Sequence, residues 1–182
     1  AWGRLESVPH DVNILNSTTT PLPLFNPGQK GLAYGNGRSY GDVCTNKDGG
    51  LWLTNKLNHF IEFDEINGTL TCEAGVLLQE IQRIIIPRGW ILPVTPGTQL
   101  ITVGGAIAND IHGKSHHSQG AFGHHVLELT LVRTDGEVIV CGPDKLPNWF
   151  AATVGGIGLT GVIVKAKLGL RRVASPWLET EN

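Results

Sequence analysis

Charged and hydroxyl side chains sit inside glycine turns at two places in this chain. One is Gly35-Asn36-Gly37-Arg38-Ser39-Tyr40-Gly41-Asp42. The other runs from Pro96-Gly97-Thr98 through Val103-Gly104-Gly105-Ala106 to Asp110-Ile111-His112-Gly113-Lys114. Glycine lets the backbone reach φ > 0 and lets a ligand approach bare N–H groups. Successive N–H groups in such turns form concave anion sites. Two of them in one short chain predict a cradle for a long ligand with a phosphate bridge. In the first loop the N–H groups of residues 36–41 would face a pyrophosphate, with the Ser39 hydroxyl and the Arg38 charge beside them. In the second, Gly97, Gly104 and Gly105 would bring backbone close to the ligand. A helix beginning near Gly104 would add unpaired N–H groups and a positive dipole end. The plain alternatives are an ordinary turn for the first loop and a glycine-mediated helix contact for the second.

Five of the seven histidines fall within one stretch: His112, His116, His117, His124 and His125. His112 and His116 have the i,i+4 spacing of a helical metal site. Gly113, Gly120 and Gly123 argue for a loop instead, and Asp110 alone does not complete a ligand set, so no metal is expected. Imidazoles beside Lys114 suit an anionic or hydroxyl-bearing ligand, as hydrogen-bond donors or proton acceptors. For His124 and His125 the expectation is local hydrogen bonding. A third glycine loop, Gly155-Gly156-Ile157-Gly158 with Gly161, would set backbone against a flat ring or adenine, or simply connect a helix to a strand. Tyr40, Trp90 and Phe122 are candidates for stacking, though most aromatics fill cores.

The bulk numbers exclude several classes. With 182 residues and 41% apolar content the chain can bury a core. A net charge of −2 and 16% charged residues argue against a nucleic-acid binder. No apolar run approaches a membrane span. Cys44, Cys72 and Cys141 lack metal-ligand spacing; an odd count with no signal-peptide pattern favours reduced thiols and a cytoplasmic setting. Asn16-Ser17-Thr18 and Asn67-Gly68-Thr69 fit the glycosylation pattern by chance, the second being better explained as a turn. Gly35-Asn36-Gly37 lacks the third glycine and the downstream acid of a Rossmann fingerprint, and no Walker pattern is present.

The elements that must position these loops are short. Residues 1–30, with Pro9, Pro21, Pro23 and Pro27, read as an extended, weakly structured segment. Gly31–Tyr34 and Leu51–Leu53 read as strands. Phe60–Ile66 and Thr69–Ala74 read as a hairpin whose Asn67-Gly68 suits a two-residue type I′ turn. Leu77, Leu78, Ile81, Ile84 and Ile85 recur at helical spacing, which predicts a helix over 76–88 ended by Pro87 and Gly89. Trp90–Leu92 reads as a strand and Val103–Asn109 as a short helix. Val126–Arg133 and Glu137–Cys141 form a second hairpin. A helix over 148–153 and a final strand over 161–170 follow; the tail, with Pro176 and Trp177, shows no closing element. Strands and helices mix without regular alternation, so the class is α+β.

The combination of GNGRSYGD, PGTQLITVGGAIANDIHGKSHHSQGAFGHHV and ATVGGIGLTGVI resembles the FAD-binding domain of the vanillyl-alcohol-oxidase (PCMH-type) flavoprotein superfamily, and within it the branch that oxidises a decaprenylphosphoryl ribose. The likeness runs from Trp2-Gly3 to about Leu170. It implies a two-subdomain α+β FAD module over 31–170, split near residue 95, with 171–182 leading toward a substrate-binding cap domain that lies outside this chain. It also implies that Ala33, Tyr34, Gly35, Asn36, Gly37, Arg38, Ser39, Tyr40, Gly41, Asp42 and Val43 hold the FAD pyrophosphate region. Gly97, Thr98, Thr102, Val103, Gly104 and Gly105 would continue the cradle. Asn109, Asp110, Ile111 and His112 would approach the flavin, and Ile163 would touch the cofactor from the last strand. His112 and Lys114 match positions on the substrate side. Covalently flavinylated relatives carry a histidine in the first loop; Gly37-Arg38-Ser39-Tyr40 has none, which implies non-covalent FAD. The implied reaction is oxidation of a sugar hydroxyl on a polyprenylphosphoryl pentose by hydride transfer to flavin N5. A partner reductase would complete an epimerisation, and peripheral membrane contact would come through the lipid. A sugar-lactone or alditol oxidase of the same superfamily, a metal-dependent hydrolase using the histidines, and a catalytically silent FAD-fold module are the competing readings.

Overall fold

The computed structural model describes Gly3, residues 7–16 and residues 21–175. Ser17 and Thr18 of the first glycosylation triplet, and Pro176 and Trp177 of the tail, lie outside them. In chain order the strands and α-helices are β1 (Asp11–Ile14), β2 (Gly31–Tyr34), β3 (Gly50–Leu53), β4 (Phe60–Asp64), β5 (Thr69–Glu73), α1 (Leu78–Ile85), β6 (Trp90–Ile91), α2 (Val103–Ala108), α3 (His116–Gln119), β7 (Val126–Val132), β8 (Val138–Cys141), α4 (Pro147–Thr153), β9 (Val162–Gly169) and β10 (Arg171–Arg172). The class is α+β. A three-stranded parallel sheet has the order β1-β3-β2, and a five-stranded antiparallel sheet has the order β4-β5-β9-β7-β8. The change of sheet falls between Leu53 and Phe60, and the larger sheet takes strands from both sides of residue 95.

The N-terminal segment contributes more than an extended lead-in. Val12 and Leu51 pair in register across β1 and β3, and Leu15 and Leu22 are buried. Their cluster includes Trp52, whose indole N–H donates to the Pro23 carbonyl at 2.8 Å, and Phe25 packs on it with ring centroids 5.1 Å apart. The main core lies between the larger sheet and the helices. Leu78, Ile81 and Ile85 of α1 and Val103, Ala106 and Ile107 of α2 meet Leu70, Cys72, Ala166 and Leu168. The register of β7 against β9 shifts between Thr130 and Leu131. Val162 and Val164 belong to the first cluster while Ile163 belongs to the main core.

Three local expectations are corrected. The β4–β5 turn spans four residues, with Asp64 paired to Thr69, and only Gly68 of the Asn67-Gly68 pair has positive φ, at +65°. The Asp64 carboxylate is the reason: it accepts from the N–H groups of Ile66 and Asn67, both at 2.9 Å, and from Asn67 Nδ2 at 2.7 Å, which fixes a wider loop. The helix predicted over 76–88 is α1 followed by a 3-10 turn at Ile86–Arg88. Its start is set by Glu80, whose carboxylate accepts the Leu77 N–H at 2.8 Å. The tail does hold a closing element, since β10 pairs antiparallel with β6 and the Arg172 guanidinium lies 5.2 Å from the Trp90 ring centre. A two-residue strand carries no periodicity to read.

Candidate functional site

The first glycine loop leaves the carboxyl end of β2. The Tyr34 carbonyl is held by the Thr54 N–H at 2.9 Å and the Thr54 hydroxyl at 3.2 Å, which pins the point where the loop departs. Asn36 Nδ2 then donates to the Leu100 carbonyl at 2.7 Å, tying this loop to the second one. Gly35 makes the crossing possible, because a Cβ there would fall on the Thr102 hydroxyl. Gly37, at φ +61°, lies under the Tyr34 phenol. Burial pushes the Tyr34 phenol above its ordinary value; Cys44 adds to the rise and the Arg38 guanidinium opposes it. The phenol therefore stays a neutral hydrogen-bonding group near neutral pH.

The two loops differ in what their backbone offers. Among the described residues, the N–H groups of Asn36, Gly37, Ser39, Tyr40 and Gly41 have no hydrogen-bond acceptor. At the start of α2 the amides are spent. Val103 N–H donates to the Val76 carbonyl at 2.9 Å, Gly104 N–H to the Ala74 carbonyl at 2.8 Å, and Gly105 N–H to the capping Thr102 hydroxyl at 3.2 Å. The expectation of unpaired N–H groups at this helix start is therefore corrected. Gly104 and Gly105 contribute missing side chains: a Cβ on Gly104 would sit 3.1 Å from Ala74 Cβ, and one on Gly105 would sit 3.1 Å from Thr102 Oγ1.

Between the loops lies a cleft of about 360 Å³. Ala33, Gly35, Asn36, Gly37, Arg38, Ser39, Tyr40 and Val43 line it from the first loop. Gly97, Thr98, Thr102, Gly104, Gly105, Asn109 and Ile111 line it from the second, and Ile163 from β9. Of the other residues expected at the cofactor, Tyr34, Gly41, Asp42, Val103, Asp110 and His112 are not on its wall. Val103 is a core residue, and the Asp110 carboxylate is committed to the Gly123 N–H at 2.8 Å. His112 and Lys114 are exposed on the segment between α2 and α3, the His112 ring 5.4 Å from that of His116. Sequence reasoning missed Leu32, Cys44, Thr54, Pro96, Ile101 and Ala108 on the wall. Ile157, Gly158 and Gly161 also line it, so the third loop flagged as a backbone wall does reach the cleft. Tyr40 is at the cleft; Trp90 and Phe122 are buried in the core.

His124 and His125 are locally satisfied. His125 Nε2 lies 2.8 Å from the Gln119 carbonyl, and His124 Nδ1 pairs with the Ala121 backbone. Among the described residues no group of three or more His, Cys, Asp or Glu side chains is arranged to hold a metal, and no helix is long and apolar enough to cross a membrane.

Open amides on the first loop and apolar walls from Ile101, Ile111 and Ile163 in the same cleft suit a ligand that joins a phosphate bridge to flat rings. The cleft volume is at the lower end of the ~300–1,000 Å³ common for such sites. The donor set and the missing side chains fit a dinucleotide, and the comparisons say which. The chain belongs to the FAD binding domain family, whose profile matches residues 26–142. It is 44% identical over 178 residues to a decaprenylphosphoryl-beta-D-ribose oxidase of Mycolicibacterium smegmatis, covering 92% of this chain and 38% of that protein. It is 29% identical to a D-arabinono-1,4-lactone oxidase of Kluyveromyces lactis, over 78% of this chain and 27% of the relative. With the L-gulonolactone oxidase of Mus musculus the identity is 31%, over 74% and 30%. The chain thus spans well under half the length of these relatives. FAD is the cofactor of its family.

Proposed function

We propose that this chain is the FAD-holding part of an oxidoreductase that oxidises a sugar hydroxyl on a polyprenylphosphoryl pentose. The observation that carries the FAD assignment is the set of acceptor-free amides at Asn36, Gly37, Ser39 and Tyr40, residues that line a cleft together with Gly97, Gly104 and Gly105. Support for the substrate class comes from the 44% identity to a relative named for decaprenylphosphoryl ribose, against 29–31% for two lactone oxidases. In this reading those of residues 33–43 that line the cleft hold the pyrophosphate, Gly97, Thr98, Thr102, Gly104 and Gly105 shape the crossing, and Asn109, Ile111 and Ile163 border the flavin, with the exposed His112 and Lys114 on the substrate side. Bound FAD supplies a two-electron acceptor for the carbinol C–H. His112 takes or holds the hydroxyl proton, and Lys114 holds an anionic group of the substrate. No histidine stands in the first loop, so the cofactor is held without a covalent bond. A keto sugar left on a lipid carrier calls for a separate reductase and for work at a membrane surface.

Titration of the purified chain with FAD, read by quenching of flavin fluorescence, tests the cofactor assignment. Saturation at micromolar FAD, with all flavin released into the supernatant on acid precipitation, is expected. Failure to bind, or flavin that stays with the precipitate, overturns it. Turnover of a polyprenylphosphoryl pentose against a sugar lactone, measured on a protein that includes the substrate-side residues, tests the substrate class.

A further inference from the structure

Four positions between Gly155 and Gly161 adopt positive φ. Three are glycines, at +70° for Gly155, +74° for Gly158 and +147° for Gly161; the fourth is Ile157, at +54°. A β-branched side chain crowds its own backbone in that region, which otherwise falls to glycine, asparagine or aspartate. The conformation is held from outside. Ile157 N–H donates to the Ala108 carbonyl at 2.8 Å and Gly155 N–H to the Ile107 carbonyl at 3.0 Å, so the loop is tied to the end of α2. Strain of this kind persists where the surroundings over-determine it, and it collects at ligand clamps.

Packing within the protein does not explain the isoleucine. Ile157 belongs to neither core cluster, and 44% of it is exposed. Ile157 lines the cleft with Ala33, Ala108 and Ile111. The next residue fixes where the loop lies: a Cβ on Gly158 would be 3.8 Å from Leu32 Cδ1 and 3.9 Å from Ala33 Cβ. The third loop therefore meets the end of β2 at the same mouth as the first. A connection with no further role would favour glycine or asparagine at 157, and a core residue would be buried.

We propose that Ile157 is a clamp residue: the loop holds its branched side chain in left-handed backbone so that it packs on a ring face of the bound dinucleotide. This rests on the FAD reading above. Its consequence is a split between the empty and the loaded protein. Loss of the side chain relieves the empty chain while removing apolar contact from the complex.

The test uses the full 182-residue chain with Ile157→Gly, Ile157→Asn and Ile157→Val. The urea midpoint without FAD and the FAD dissociation constant are both measured. Ile157→Asn, which tolerates the left-handed region, is expected to unfold at higher urea than wild type. Ile157→Gly is expected at or above wild type, because freedom gained by the unfolded chain offsets part of the relief. Both are expected to bind FAD about tenfold more weakly or worse, and Ile157→Val within about threefold of wild type. FAD affinity within about twofold of wild type for Ile157→Gly and Ile157→Asn would overturn the clamp and leave the FAD reading standing. So would a fall in the empty-state midpoint of both variants in step with affinity, which would mark ordinary structural packing. A wild-type chain that does not bind FAD ends the FAD reading, and the clamp with it.

Discussion

The crossing of the two glycine loops can be probed through one atom pair. An alanine at position 35 puts its methyl on the Thr102 hydroxyl, with Thr102 Cγ2 at 3.3 Å and Cβ at 3.4 Å. Gly35 does not occupy the left-handed region, so alanine accepts the backbone and lowers the entropy of the unfolded chain, a gain of about 0.4–1 kcal/mol. Against this stand two costs. Thr102 is 2% exposed and has little room to rotate, so inserting a methyl beside it costs about 1–3 kcal/mol of packing strain. Displacing its hydroxyl also ends the cap on the Gly105 N–H, worth about 1 kcal/mol. The expected net for Gly35→Ala is a loss of about 1–3 kcal/mol, with weaker FAD binding because the crossing lies on the cleft wall. Thr102→Ala alone should cost about 1–2 kcal/mol through the cap and the lost buried methyl. In the double variant the hydroxyl and Cγ2 are gone and only Cβ remains near the new methyl. Gly35→Ala with Thr102→Ala should then cost no more than Thr102→Ala alone, a coupling of about 2 kcal/mol. Urea unfolding of the four proteins measures this. Single losses that add to within about 0.5 kcal/mol would refute the contact as the reason position 35 is glycine.

Two further outcomes follow from side chains already described. Hydrogen bonds from the Asn67 side chain, then from the Asn67 and Ile66 backbone, hold the exposed Asp64 carboxyl below its ordinary value. The stability it contributes is complete above the unfolded-state value and is lost as pH falls through the lower folded-state value. Asp64→Asn should therefore lower the thermal midpoint at neutral pH, with the gap to wild type closing in acid; a gap constant down to about pH 3 would contradict the assignment. Among the cysteines, burial with Glu73 beside it pushes the Cys72 thiol up to about 12, and burial raises Cys141, with Glu128 adding and Lys145 opposing. Cys44 is partly exposed on the cleft wall. Iodoacetamide at about pH 8 should label Cys44 first in the native chain, and FAD should slow it; equal labelling of Cys72, or no slowing by FAD, would count against the cleft as the FAD site.

Most of the larger sheet was legible because its strands alternate: Leu129 and Leu131 of β7, and Ala166 and Leu168 of β9, face one core. The α1 helix was legible because Leu78, Ile81 and Ile85 share one face. The parallel strand β1 was not, since Asp11-Val12-Asn13-Ile14 offers four residues and only one alternation, and its place is set by pairing with β3 far along the chain. The type I′ expectation failed because a local rule, Asn-Gly, met a stronger local competitor in the Asp64 carboxylate. At the site the glycines announced the cleft. Cys44, Thr54 and Ile101 could not be read, because nothing in their own neighbourhood distinguishes a wall residue from a loop residue.

The two glycine loops look alike in sequence and do different work. Whether a glycine turn offers its amides depends on which carbonyls the fold brings to them, and that is non-local. Ala74 and Val76, some thirty residues upstream, satisfy Gly104 and Val103, while the described fold brings no acceptor to Asn36 or Gly37. The competing interpretations of the second loop therefore merge. Gly104 is the glycine of a close helix contact, against Ala74, and it also lines the cleft. In the proposed FAD reading, negative charge goes to the first loop, where the amides of Asn36, Gly37, Ser39, Tyr40 and Gly41 have no acceptor, and close approach without charge goes to the second. Under the proposed FAD reading, an anionic bridge would seat against the open amides of Asn36, Gly37, Ser39 and Tyr40 and leave the ligand's rings to the apolar walls, where the clamp proposed for Ile157 would act.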